Sequence, residues 1–276
     1  MEILKIINNN IISSLDHKNR EIIVMGRGIG FGKKVGMRIE EDKIEKIFRM
    51  EGKGEAQRFE DLLSEIPLEI FELVTEIVKN AKTYIKDKIQ ESIYLTLTDH
   101  INFARERQRE NIQFHNPLLY DIKRLYKKEY RVGEEAVLLI NERLGTDMPK
   151  DEAASIALHF INARLGNDLP ETINIAKLIQ STLKIIQYFF GIELEEDSPE
   201  AEHFLTYIKY FAQRVIGGEM TQAQDEVIEQ VVTERYHKSY LCVKRIADFI
   251  KKEYEIEVSS SEILDLTIQI ERITKG

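Results

Sequence analysis

Two groups of residues in this chain have the types and the spacing for chemistry: a basic glycine-rich loop near the start, and two histidines further on. From Val24 to Gly36 the loop reads VMGRGIGFGKKVG and sets Gly26, Gly28, Gly30, Gly32 and Gly36 around Arg27, Phe31, Lys33 and Lys34. Backbone without a Cβ comes close to a ligand and takes positive φ at no steric cost. Lys and Arg meet phosphates, backbone N–H groups add hydrogen bonds, and an exposed Phe offers a ring for an unstacked base. That combination points to single-stranded or looped nucleic acid; the plainer alternative is a hairpin turn with solvated lysines. His100, in YLTLTDHINFARER, and His159, in EAASIALHFINAR, both have apolar neighbours three and four residues away, Leu97 and Ala104 for the one, Ile156 and Ala163 for the other. Taken singly, each reads as a hydrogen-bonded core histidine. Zinc is disfavoured, because there is no HExxH and no cysteine cluster. His17, His115, His203 and His237 stand in polar or turn-like surroundings.

Two sharper readings of the glycines fail on the letters. A dinucleotide fingerprint needs a third glycine where Phe31 or Lys33 stands. A P-loop needs a glycine where Arg27 precedes Gly32-Lys33, and Ser or Thr where Lys34 follows. Nucleotide-dependent enzymes therefore drop out, and no paired acid/base motif replaces them; neither a cofactor nor a metal is expected.

The elements that must position these residues follow from the rest of the chain. With 276 residues and 43% hydrophobic content, two or three compact domains with real cores are expected. The net charge of -9 argues against a general polyanion binder. It is unevenly spread: between Lys18 and Arg38 six basic residues stand against Glu21 alone. A basic head on an acidic body fits a small nucleic-acid module joined to domains with other partners. Cys242 is the only cysteine, which rules out a disulfide within the chain and suits a reducing compartment. No apolar run has the length of a membrane span, so the chain reads as cytoplasmic without membrane insertion.

ILKII, IISSL and REIIVMG are short β-branched runs separated by the turn-formers Asn8 to Asn10 and Asp16 to Asn19, as in a β-meander; Lys43 to Met50 makes a further strand, and Gly52 and Gly54 mark a linker. So small a sheet has exposed edges and is expected to pair with a second copy. From Phe59 onward the pattern is helical. Ile70, Val74, Ile77, Ala81 and Tyr84 recur at spacings of three and four after Pro67, and Ile175, Leu178, Leu183, Ile186 and Phe190 do so after Pro170. YKKEY at Tyr126 to Tyr130 answers YHKSY at Tyr236 to Tyr240; the same displacement puts Glu152 on Glu262 and EAASIALHFI on EILDLTIQIE. Two copies of one helical domain are the result, joined at LGNDLPE. The fold class is multidomain: a small all-β antiparallel head (1–55) followed by two all-α helical bundles (60–168 and 170–276). Where the first copy has His100 and His159, the second has Tyr207 and Gln269.

INNNIISS, VMGRGIGFGKK and KIEKIF, followed by the repeated unit with LTDHINFA and DEAASIALHFINA, resemble the BglG/SacY/LicT family of transcriptional antiterminators over essentially the whole chain. The resemblance implies a dimeric RNA-binding head and two regulation domains controlled by the sugar phosphotransferase system. In such proteins the head binds a hairpin in nascent leader mRNA and prevents a terminator from forming, so that sugar-utilisation genes are transcribed. It implies RNA contacts at Asn10, Gly26, Arg27 and Phe31, with Lys5, Asn8 and Lys33 beside them. It implies phosphorylation of His100 and His159 by a sugar-specific permease component, and places Tyr207 and Gln269 where the family carries its second pair of histidines. Neutral imidazole is a competent phosphoryl acceptor near neutral pH, whereas Tyr and Gln cannot stand in that relay. A DNA-binding activator with the same regulation domains is the alternative, but no pair of short helices suited to a major groove is visible in the first 55 residues.

Overall fold

The computed structural model describes residues 1–49, 59, 61–62, 66–112, 114–166, 169–193, 198–221 and 226–275. The linker expected at Gly52 and Gly54 lies outside them. Four strands open the chain: β1 (Ile3–Asn8), β2 (Ile11–Leu15), β3 (Glu21–Met25) and β4 (Lys46–Arg49). They pair antiparallel in sequence order, the meander expected from the β-branched runs. A 3-10 turn, Glu41–Lys43, takes Lys43 from the expected fourth strand, which begins at Lys46, and its expected last residue, Met50, lies outside the described residues.

The turns are set by side chains that imitate backbone. Asn10 N–H donates to Asn8 Oδ1 at 2.9 Å between β1 and β2. Asp16 Oδ1 accepts from the backbone N–H groups of Lys18 and Arg20 between β2 and β3. One face of the sheet packs Ile3, Ile12, Ile22 and Val24 on Ile29 and Ile39 from the glycine loop and the segment after it. The opposite face is buried within the chain as well. Ile23 pairs in register with Phe48, both fully buried, and Phe48 stands 5.2, 5.5 and 5.0 Å from the rings of Phe59, Phe71 and Tyr94. Burial on both faces is why EIIVM does not alternate; in IISSL the hydroxyls of Ser13 and Ser14 are buried too, and Ser14 Oγ donates to the Glu2 carbonyl at 2.7 Å.

Ten helices follow among the described residues: α1 (Leu68–Ala81), α2 (Ser92–Arg109), α3 (Leu119–Leu125), α4 (Lys127–Leu144), α5 (Asp151–Leu165), α6 (Leu169–Phe190), α7 (Pro199–Gly217), α8 (Glu226–Arg235), α9 (His237–Tyr254) and α10 (Ser260–Lys275). The chain separates into two compact units, residues 1–116 with 128–166, and residues 117–127 with 167–276.

In the first unit Ile70, Val74, Ile77 and Ala81 form the buried stripe of α1, as their spacing requires. Tyr84 falls in the turn beyond it and reaches Glu135 through its hydroxyl at 2.6 Å. Helix α5 is buried nearly all round, which places it at the centre of this unit and carries Glu152 and His159 inside with it. In the second unit Ile175, Leu178, Leu183 and Ile186 are buried, and α7 starts at Ser198, whose Oγ accepts from Ala201 N–H ahead of Pro199 at the first turn. Helix α3 packs with this unit, Asp121 accepting from Gln180 Nε2 at 2.7 Å.

Candidate nucleic-acid interface and histidine site

The glycine loop is laced to the β1–β2 turn. Asn10 Oδ1 accepts from Gly28 N–H at 2.7 Å, its carbonyl accepts from Gly26 N–H at 2.9 Å, and Asn9 O accepts from Gly30 N–H at 3.0 Å. Gly26 is buried where a Cβ would lie 1.7 Å from the Lys43 carbonyl oxygen, so no other residue fits. Gly28 turns the chain at φ 68°, in the left-handed region that glycine takes without strain.

Asn8, Asn10 and Gly26 therefore build the loop, and Arg27 and Phe31 are what it presents. Arg27 is exposed and the Phe31 ring is 71% exposed, a large apolar surface for a loop tip to show water. Lys5 is exposed on β1. Lys33 instead pairs with Glu40, whose carboxylate also takes Lys43; those two ammonium groups, Lys33 first, hold Glu40 down to about 2. An arginine and a bare ring flanking glycine backbone can pair with phosphate and stack on a base.

The second site lies in the first helical unit. His100 on α2 and His159 on α5 are brought together, ring centres 4.8 Å apart, although 59 positions separate their numbers. His100 Nε2 lies 3.0 Å from Glu152 Oε2, and the other carboxylate oxygen takes the guanidinium of Arg107. Arg107 is itself held over the rings of Phe103 and Phe114, its Cζ 5.3 and 4.3 Å from their centres. Glycine at position 133 of α4 allows the approach of α5, since a Cβ there would lie 2.1 Å from the Ala153 carbonyl oxygen.

Neither Glu152 nor Arg107 stands out in the sequence as a functional residue. The available signal is the repeat: Glu152 corresponds to Glu262, and the second unit keeps the pair as Arg214 with Glu262, bidentate at 2.6 and 2.7 Å. Tyr207 and Gln269 line one cavity of about 570 Å³ there, with His203 and Arg272. Burial, and after it the charge of Glu262, raises the Tyr207 hydroxyl well above the usual phenol range.

His159 is buried, and desolvation, followed by the neighbouring His100, pushes its pKa down to about 3. The folded state thus keeps a neutral ring while the unfolded chain takes up a proton near pH 6.5. Stability present above that pH is lost as pH falls toward 3, by at most about 1.4 kcal/mol per pH unit for this one group. His159→Gln should flatten the decline between pH 6.5 and 5 in urea titrations. Parallel declines in the two proteins would mean that the ring is not desolvated.

The profile of the CAT RNA binding domain matches residues 1–57, and that of the PRD domain matches 75–163 and again 180–273. Among curated proteins the chain is 43% identical to the transcription antiterminator LicT of Bacillus subtilis (strain 168) over 275 residues, covering 100% of this chain and 99% of that one. It is 38% identical to the beta-glucoside operon antiterminator of Dickeya chrysanthemi, over 99% of this chain and 96% of that one. Among solved structures, a crystal structure of GlcT CAT-PRDI matches at 33% identity with a TM-score of 0.53, over 59% of this chain and 97% of that one. With one profile spanning the sheet and the other repeated over the helical units, the chain belongs to the family of transcription antiterminators that join a CAT RNA-binding domain to two PRD regulation domains.

Proposed function

We propose that this protein is a cytoplasmic antiterminator whose homodimeric head binds a hairpin in nascent leader mRNA and keeps an overlapping terminator from forming. Transcription of sugar-utilisation genes then continues. Three functional parts serve this: the RNA-binding head at 1–55 and regulation domains at 60–168 and 170–276. The RNA contacts are Arg27 and Phe31 first, with Lys5, Asn8, Asn10, Gly26 and Lys33 building or flanking the surface. Control comes from phosphorylation of His100 and His159 by a sugar-specific permease component of the phosphotransferase system, so the protein is a substrate of phosphotransfer and catalyses nothing itself. Tyr207 and Gln269 accept no phosphate.

The observation that carries this reading is the loop held by Asn10 and Gly26, which leaves Arg27 and the 71%-exposed Phe31 facing outward. A DNA-reading head has no support here: among described residues 1–49 the only helical turn is Glu41–Lys43.

Gel shifts of the full chain on the leader hairpin upstream of its neighbouring genes test the proposal. Arg27→Ala and Phe31→Ala should each weaken binding by about 1–3 kcal/mol, and added salt should weaken the parent further. Parent-like binding by both variants would place the RNA elsewhere on the protein.

A further inference from the structure

Glu152 divides its carboxylate between two partners. One oxygen takes the guanidinium of Arg107 and the other takes Nε2 of His100 at 3.0 Å. The side chain is only 3% exposed, and the Arg107 guanidinium lies over the rings of Phe103 and Phe114. A carboxylate in such an ion pair is an acceptor only, so the hydrogen between Glu152 and His100 sits on Nε2. In the neutral ring, the form that acts as a nucleophile, Nδ1 then carries the lone pair. Among the described residues nothing hydrogen-bonds to that nitrogen.

The other copy serves as an internal comparison. There Glu262 gives both oxygens to Arg214, and Tyr207 leaves no imidazole for the carboxylate to orient. The division of the carboxylate is thus found where the histidine is. His159 has no such partner: its Nδ1 is buried without a hydrogen bond among the described residues.

We infer that Nδ1 of His100 is the atom that takes the phosphoryl group, and that Glu152 is the positioning residue that selects it. This rests on the reading of His100 as a phosphoryl acceptor. The Nδ1 lone pair attacks the phosphorus of a phosphorylated donor protein. The bond from phosphorus to the donor side chain breaks and leaves its electron pair on the donor, while a P–N bond forms on His100. The ring becomes a phosphoimidazolium whose remaining N–H points at Glu152, the carboxylate-to-imidazole pairing that stabilises an imidazolium in hydrolase triads. Its loss of that proton to water restores a neutral ring.

To isolate the site, the full chain carrying His159→Gln is incubated with phosphoenolpyruvate and the phosphotransferase proteins of a Bacillus subtilis extract. Phosphate is mapped by peptide mass spectrometry, and its isomer is read with isomer-selective antibodies and by ³¹P NMR. The expected product is the Nδ1 isomer at His100. The Nε2 isomer there would overturn this inference alone, and no phosphate at His100 would overturn the acceptor reading together with it. Adding Glu152→Gln, whose amide can donate as well as accept, should give both isomers and slow the uptake about 10-fold. Pure Nδ1 product at the undiminished rate in that variant would remove Glu152 from the mechanism. If the variant does not fold, the isomer formed in the His159→Gln protein still decides.

Discussion

Gly26→Ala should abolish RNA binding and unfold the head, although it adds a single methyl group. The new Cβ would stand 1.7 Å from the Lys43 carbonyl oxygen, which is backbone and cannot rotate away. Moving it would pull on the hydrogen bond from Glu45 N–H to the Met25 carbonyl at 2.9 Å, beside the β3–β4 ladder. Displacing Gly26 the other way would break its N–H bond to Asn10 O, also 2.9 Å, and release the loop that presents Arg27 and Phe31. Ordinary overpacking costs about 1–3 kcal/mol because side chains can give way; here none is available to do so, and the loss should exceed about 3 kcal/mol. Gly28→Ala is the control. Its Cβ would meet nothing within 4 Å, so only the φ of 68° is strained, at about 1–2 kcal/mol. Thermal melts and gel shifts of the two variants should rank them in that order. A Gly26→Ala protein that melts and binds RNA like the parent would show that the loop is not built as described.

Arg214→Ala should destabilise the second unit by about 3 kcal/mol. Glu262 is 1% exposed and receives both of its close charged hydrogen bonds from that guanidinium, so truncation leaves a buried carboxylate without its cation. Breaking a buried pair from one side costs about 3–5 kcal/mol; the lower end applies because Arg214 is itself 29% exposed and water can partly replace it. Arg143→Ala provides the scale. Its pair with Glu76 is 60% and 41% exposed, and such surface pairs contribute about 0–1 kcal/mol. Urea denaturation followed by circular dichroism separates the two expectations. A loss below about 1 kcal/mol for Arg214→Ala would mean that Glu262 is hydrated after all.

Residue type and local spacing were enough to place the strands, the glycine loop and the helical repeat, because strand and helix periodicities are short-range properties of the chain. The displacement that aligns the two Tyr-x-x-x-Tyr stretches also put Glu152 on Glu262, which is the register of the observed repeat. The same local reading could not say which residues of the loop build it and which it presents. Asn10 and Gly28 are 18 positions apart and meet only because the turn folds back on the loop, and Lys33 is taken up by Glu40 from a segment without regular structure. Nor could it expose the Arg107–Glu152–His100 chain. Its members come from two helices, and in the sequence Glu152 marks only a position of the repeat. Burial gives it a further part. Once α5 is the central helix of its unit, the charge of Glu152 has to be met by side chains arriving from 45 and 52 positions away. Only the tertiary packing determines which side chains those are.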